Sequence, residues 1–259
     1  MKTLLTLGIA LALTCAAQAY PTLTGPTGLA TLPTAAVAQA GQFQLAADYY
    51  DTEGDSTIPV RLLYGIGDSF EIGATYVSSE INGWGINGKW LTPLTLGGFN
   101  WALGAQYLTY SDDIEDIEGT IELEVNGMQV YFVGTRMLMD PDVDAIGLNG
   151  TLGANWTKVE LDVEGFINED ESAFRLFGGL DATFANRLTL AAELQMEEED
   201  IADTDMLWSI VARYPFSDAI AVQIGYTNAS MIGFATGFNG GSESNLFAGL
   251  TFGWGTADE

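Results

Sequence analysis

The residues of this chain that could do binding or acid–base chemistry are charged side chains at alternate positions of apolar segments. In a strand, such a charged side chain points to one face and its two sequence neighbours point to the other. Charges of both signs on one face could pair with each other or bind a polar solute. The set comprises Arg61, Glu71, Lys89, Arg175, Asp181, Glu193 and Arg213.

Catalysis is disfavoured by the residue types that the chain lacks. It contains no histidine, and Cys15 is its one cysteine. Lipases, acyltransferases and proteases as classes rely on histidine beside a nucleophile, and zinc sites need histidine or cysteine. A pair of carboxylates could still cleave a glycosidic bond, but acids gathered in loops provide no specific pair. The sequence therefore predicts a protein that is not an enzyme and has no catalytic residues.

The elements that must position these charges are twelve segments in which every second residue is apolar, the period of a β-strand. In Phe70–Tyr76, aromatic rings stand at both ends and Ile72 and Ala74 lie between them, while Glu71 belongs to the other face. The predicted strands are Gln42–Tyr50, Ile58–Ile66, Ser69–Val77, Gly83–Leu91, Phe99–Thr109, Gly127–Met137, Ile146–Thr157, Phe174–Phe184, Arg187–Met196, Leu207–Phe216, Ala219–Thr227 and Asn245–Trp254.

The connections between these segments alternate between short turns and longer, acidic loops. Short turns are predicted at Gly67-Asp68, Pro93–Gly98, Asp140–Ala145, Ala185-Asn186 and Ser217-Asp218. Long loops are predicted at Ser111–Asn126, Lys158–Ser172, Glu197–Asp205 and Asn228–Ser244, although Thr120–Val125 also alternates and could lengthen the sixth strand. This layout is typical of outer-membrane barrels.

Aromatic residues on the apolar face are sorted by height, which separates a barrel in a bilayer from a soluble β-sandwich. A sandwich also has one apolar face, but only a membrane favours two aromatic girdles. The girdle at the long-loop end comprises Tyr49, Tyr76, Trp84, Tyr107, Trp156, Trp208 and Tyr226. The girdle at the short-turn end comprises Tyr64, Trp90, Trp101, Tyr214 and Trp254, with Phe43, Phe70 and Phe184.

The predicted fold is therefore all-β: a transmembrane, antiparallel, up-and-down β-barrel of about twelve strands. Its short turns would face the periplasm and its acidic loops the exterior of a Gram-negative-type bacterium. Residues 1–19 read as a signal peptide, 20–40 as an irregular Gly/Pro lead-in, 41–254 as the barrel and 255–259 as a short tail. Gly249, Phe252 and Trp254 resemble the terminal-strand signal read by the barrel-insertion machinery.

The charge balance limits the partners. Thirty-five acids against eight bases give a net charge of −27, which disfavours binding to nucleic acid. The expected surroundings are outer-membrane lipid and lipopolysaccharide. Acidic groups in the loops could bind Ca²⁺ or Mg²⁺ weakly, or form a solvated surface, and no cofactor or defined metal site is predicted. These groups are Asp112, Asp113, Glu115, Asp116 and Glu118, and Glu197, Glu198, Glu199 and Asp200.

The polar inner face allows two interpretations. It could be a closed network of ion pairs and hydrogen bonds that holds the barrel in shape. It could instead be a conduit whose basic spots attract small anionic solutes or polysaccharide. Residues 20–40, which carry no charge, could lie in the periplasm, or could pack into the barrel and block it.

The lead-in contains a recurring motif. Residues Gly25–Ala35 read G-x-x-G-L-x-x-x-P-T-A and are followed by Gly41-Gln42-Phe43 at the first strand. This stretch resembles the start of the YjbH-like family of outer-membrane β-barrel proteins. The resemblance implies a barrel associated with exopolysaccharide production or export. Physically, the glycines permit tight backbone turns and the prolines stiffen them.

Overall fold

The computed structural model describes residues 20–52, 55–79, 82–116, 119–141, 144, 146–163, 167–185, 187–196, 206–229 and 245–255. The predicted signal peptide and all but the first residue of the predicted tail lie outside these ranges. No helix in the described ranges is long and apolar enough to cross a membrane.

Twelve antiparallel strands form one closed barrel in which each strand pairs with its neighbours in sequence, and β1 closes the ring on β12. This confirms the predicted fold class. The strands are β1 Phe43–Thr52, β2 Asp55–Ile66, β3 Phe70–Ser78, β4 Asn82–Leu96, β5 Phe99–Asp116, β6 Gly119–Met139, β7 Ile146–Val163, β8 Ile167–Phe184, β9 Leu188–Gln195, β10 Leu207–Ser217, β11 Ile220–Thr227 and β12 Asn245–Trp254.

The outer surface is apolar and uncovered. Ile86 is 57% exposed, Leu180 53% and Ile224 53%, and similar side chains surround the barrel. Soluble proteins rarely expose contiguous apolar patches of more than a few hundred Å². A continuous apolar band around a closed barrel is instead the surface that a bilayer covers.

The predicted girdle residues all point outward, at the two edges of this band. At the short-turn end, the ring centroid of Phe43 on β1 lies 4.4 Å from that of Tyr64 on β2. It lies 5.7 Å from that of Trp254 on β12, where the barrel closes. At the other end, the rings of Trp208 and Tyr226 are 5.7 Å apart. Cross-strand aromatic pairs of this kind stabilise the sheet as well as anchoring it at the interface.

The strands are of unequal length, and here part of the prediction was wrong. β5 to β8 have 18, 21, 18 and 18 residues, whereas β9 and β11 have 8. The predicted loops 111–126 and 158–172 are mostly strand, and pairing continues to Asp116↔Gly119 and Val163↔Ile167. Backbone hydrogen bonds sustain a ladder beyond the point where the apolar alternation ends. The predicted turn Pro93–Gly98 likewise shortens to Gly97-Gly98.

The barrel interior is less polar than expected. Large side chains point inward above and below the charged positions: Tyr50, Tyr110, Tyr131, Phe177 and Phe247 are each at most 5% exposed. Four of them lie over a glycine of the preceding strand, where a Cβ would collide with the ring. The pairs are Tyr110 over Gly83, Tyr131 over Gly104, Phe177 over Gly153 and Phe247 over Gly225.

Candidate functional site: the lumen and its plug

Residues 20–40 lie inside the barrel, and we call this segment the plug. Leu23 and Ala38 in it are 0% exposed. The plug forms two tight turns of its own, closed by bridges between Pro21 and Thr27 and between Gly28 and Pro33. Leu23 packs in an apolar cluster with side chains of the barrel wall. The segment is therefore a folded element of the interior, built on the wall around it.

The fold of the plug requires glycine at two positions of the motif, Gly25 and Gly28. Gly25 has φ of 134°, a conformation that other residues rarely adopt. A Cβ on Gly28 would collide with the carbonyl oxygen of Leu32 and the side chain of Thr22. These glycines allow the plug to turn back twice within the width of the barrel.

Glu71 on β3 is the first wall residue that holds the plug. Its Oε1 accepts a hydrogen bond from the backbone N–H of Thr27 at 2.9 Å, and its Oε2 accepts from the N–H of Ala38 and the hydroxyl of Thr27, both at 2.8 Å. Lys89 of the adjacent strand β4 forms an ion pair with Oε1 at 3.0 Å and donates to the carbonyl oxygen of Thr27 at 2.8 Å. Both charged side chains are fully buried.

Glu193 on β9 is the second such residue, and it binds the plug without a cation of its own. Its two carboxylate oxygens accept from the backbone N–H groups of Ala30 at 3.1 Å, Thr31 at 2.8 Å and Leu32 at 3.1 Å. The hydroxyl of Thr31 also donates to it. Three successive N–H groups around one carboxylate form a backbone nest for an anion.

Two arginines bind plug carbonyls and are linked through the wall. Arg61 donates to the carbonyl oxygen of Thr22 at 3.0 Å and pairs with Asp48. Arg213 donates to the carbonyl oxygens of Gly28, at 2.9 Å, and Leu29, and to Gln223 at 3.0 Å. Gln223 in turn donates to Asp48 at 2.6 Å, which closes the network.

The structure therefore brings five of the seven predicted charges to the plug: Arg61, Glu71, Lys89, Glu193 and Arg213. Asp181 instead accepts from Asn149 at 2.8 Å nearer the short-turn end, and Arg175 is buried in the wall of β8. Sequence reasoning missed Asp48, which is 2% exposed. Its parity with Gln44 and Ala46 could have identified it as an inward acid.

The remaining predicted residues have simpler roles. Phe252 and Trp254 face outward on β12, 41% and 49% exposed. Gly249 faces inward, where a Cβ would collide with Asp48. The acidic groups predicted to bind Ca²⁺ or Mg²⁺ fall outside the side chains that the structure describes. Within the described part of the chain, no three acidic side chains gather as a metal site requires.

A cavity of about 770 Å³ lies between the plug and the wall at the short-turn end, and we call it the vestibule. Gly28, Leu29 and Thr34 of the plug border it on one side. The rest of the lining is the wall from β5 to β10 and the end of β12, with polar side chains that include Asn149 and Asp181. Toward the long-loop end, Leu23 of the plug packs with Phe247 and other wall side chains in a buried apolar cluster.

Comparison with known proteins identifies the fold. A KdgM porin structure has a TM-score of 0.54 and 12% sequence identity, covering 81% of this chain and 98% of that chain. The KdgM porin in complex with disordered oligogalacturonate has a TM-score of 0.53 and 11% identity, covering 82% and 98%. The outer membrane protein Omp33 of Acinetobacter baumannii has a TM-score of 0.49 and 10% identity, covering 83% and 98%.

No family model matches the chain, and no curated protein sequence matches it. At these identities, the likeness to solved structures shows the fold, which is that of outer-membrane β-barrels. The resemblance of Gly25–Ala35 to the YjbH-like family stays a prediction.

Proposed function

We propose that this chain is a non-enzymatic outer-membrane barrel that passes small polar solutes, and that the plug gates the passage. The observation that carries the proposal is that the plug lies inside the barrel and that main-chain groups make most of its hydrogen bonds to the wall. Hydrogen bonds to buried charged side chains hold it at Glu71, Glu193, Arg61 and Arg213.

The polar part of the plug interface supports gating because water can replace its hydrogen bonds. When an apolar core separates, its full surface must be hydrated at a cost of roughly 25 cal/mol per Å². When the plug leaves Glu71 or Glu193, water can take over each hydrogen bond, so the net loss per bond to the charged group is about 1.5–3 kcal/mol. The wall left behind would be a polar, charged channel.

The location in the outer membrane is supported by the apolar outer band with its two aromatic girdles and by the shared fold. Contact with lipopolysaccharide and recognition of Gly249, Phe252 and Trp254 by the barrel-insertion machinery are part of the proposal. The KdgM porin, which has been solved with oligogalacturonate, is similar in fold and encourages a search among saccharides. A link to exopolysaccharide has a narrower basis, the resemblance of the plug motif.

Single-channel conductance in planar bilayers tests the proposal. The chain that begins at Tyr20 should be closed for most of the time with brief openings, and a variant that lacks residues 20–40 should conduct steadily. A control variant keeps the plug and changes a charge that the plug does not contact: Glu169→Gln, at an exposed position of β8, should behave as the parent does. If the deletion variant is folded and still does not conduct, the passage proposal is wrong.

The second candidate function is a closed barrel with a structural or surface role. The interior clusters around Tyr131 and Phe247 favour it, because they fill part of the lumen from the wall itself. It predicts a folded deletion variant without conductance, so the same measurement separates the two functions.

A further inference from the structure

We propose that the vestibule is a binding site for an uncharged, hydroxyl-rich small molecule, such as a short neutral oligosaccharide. The inference rests on the proposed function, since it names the class of solute that would wait beside the plug. A neutral ligand differs from the small anionic solutes that the inward basic residues led us to expect.

The size of the vestibule suits such a ligand. Small-molecule sites commonly have volumes of about 300–1,000 Å³, and the vestibule has about 770 Å³. Its lining combines apolar side chains, among them Met137, Met139 and Pro141, with a larger number of polar ones. The apolar groups can contact a ligand, and the polar groups can orient it by hydrogen bonds.

Polar groups of the vestibule wall form two cross-strand pairs. Asn149 on β7 donates to Asp181 on β8 at 2.8 Å, and the hydroxyls of Thr183 on β8 and Thr189 on β9 are 3.0 Å apart. An amide, a carboxylate and two hydroxyls each have more donor or acceptor positions than one such bond uses. Alternating donors and acceptors match the hydroxyl groups of a saccharide.

The charges of the vestibule decide between a neutral and an anionic ligand. Among the described residues that line it, two acids, Asp181 and Asp218, stand against two bases, Arg187 and Arg213. Arg213 already donates to Gly28, Leu29 and Gln223, and so holds the plug. Because the lining has no excess of positive charge, it gives no net attraction to an anion.

Isothermal titration calorimetry on the detergent-solubilised barrel tests the inference with maltotriose, cellotriose and raffinose as neutral probes and trigalacturonate as the anionic one. At least one neutral probe should bind, and trigalacturonate at least ten-fold more weakly. Thr183→Val combined with Thr189→Val should weaken that binding at least five-fold. Thr157→Val, a buried threonine on β7 outside the vestibule lining, is the matched control and should change it less than two-fold.

Removal of residues 20–40 separates this inference from the proposed function. Because the plug forms one side of the vestibule, the deletion should abolish binding of the neutral probe while it raises conductance. If no neutral probe binds the intact chain, if trigalacturonate binds more tightly, or if Thr157→Val weakens binding as much as the vestibule pair does, the inference is wrong. A conducting deletion variant would leave the passage proposal standing in each of these cases.

Discussion

Glu71 and Glu193 both hold the plug by accepting its backbone N–H groups, but the two sites differ in how the buried charge is balanced. Glu71 has Lys89 of the neighbouring wall strand as a partner at 3.0 Å. Glu193 is satisfied by the N–H groups of residues 30–32 and the hydroxyl of Thr31, with no ion pair within the described residues.

This difference predicts the order in which the plug detaches. When the plug leaves Glu71, the wall keeps its ion pair, and only hydrogen bonds must be replaced by water. When it leaves Glu193, water must hydrate a carboxylate that has no direct ion pair among the described residues, which costs more. We therefore expect residues 30–32 to be the last part of the plug to leave, and the two sites to respond differently to substitution.

Glu71→Gln should have the largest effect because it leaves Lys89 as a buried, unpaired charge. Breaking a buried ion pair in this way costs about 3–5 kcal/mol, so the whole barrel should unfold more readily in urea. The double variant Glu71→Gln with Lys89→Met removes the orphaned charge and should recover most of the loss. A double variant as unstable as the single one would show that the ion pair does not set the stability of this site.

Glu193→Gln should have a smaller effect, confined to the plug. The amide turns N–H groups toward the N–H groups of residues 30–32, so hydrogen bonds worth about 1–3 kcal/mol are lost, while no ion is orphaned. The rate at which a thiol reagent labels Leu23→Cys, 0% exposed in the closed state, should rise about ten-fold or more. Beyond Cys15 the chain has no other cysteine to interfere.

Glu71→Gln and Glu193→Gln should each be tested both by unfolding in urea and by thiol labelling of Leu23→Cys. Glu193→Gln should leave the unfolding of the barrel in urea nearly unchanged, and Glu169→Gln should alter neither assay. Equal losses of barrel stability for Glu193→Gln and Glu71→Gln would contradict the distinction between the two sites.

The smallest effects are expected from two wall threonines that each make one hydrogen bond to the plug. Thr75 donates to the carbonyl oxygen of Thr24 at 3.0 Å, and Thr135 accepts from the N–H of Ala35 at 3.0 Å. Replacing either with Val should cost about 0.5–1.5 kcal/mol, seen as a rise of a few-fold in the labelling of Leu23→Cys. A change as large as that of Glu193→Gln would show that the carboxylate is not the stronger attachment.

Much of the barrel could be predicted because strand periodicity is local. Glu71 lies between Phe70 and Ile72, so its inward direction follows once the outer face is apolar. The strand ends were harder to predict: the apolar alternation stops near Thr109, but hydrogen bonding between β5 and β6 continues to Asp116. Pairing depends on the partner strand, which the periodicity of one segment does not describe.

The side-chain contacts inside the barrel were harder to predict than the strand ends, because they too depend on residues of other strands. Tyr131 points inward because Gly104, 27 positions earlier in the numbering, leaves space for its ring on the adjacent strand. The inward direction of Asp48 could be predicted from parity, but its partners could not, because Arg61 lies on another strand and Gln223 is brought to it by closure of the barrel. No pattern within one strand contains these pairs.

The sequence by itself determined the barrel, its two faces and its girdles. A period of two is a local property of each segment, and the spacing between the aromatic rings of a segment matches the thickness of a bilayer. Only the tertiary structure decided where the uncharged residues 20–40 lie, because their attachment is made by main-chain groups that every sequence has. The partners of those groups, among them Glu71, Glu193 and Arg213, are 33 to 185 positions distant and meet the plug only once the barrel has closed.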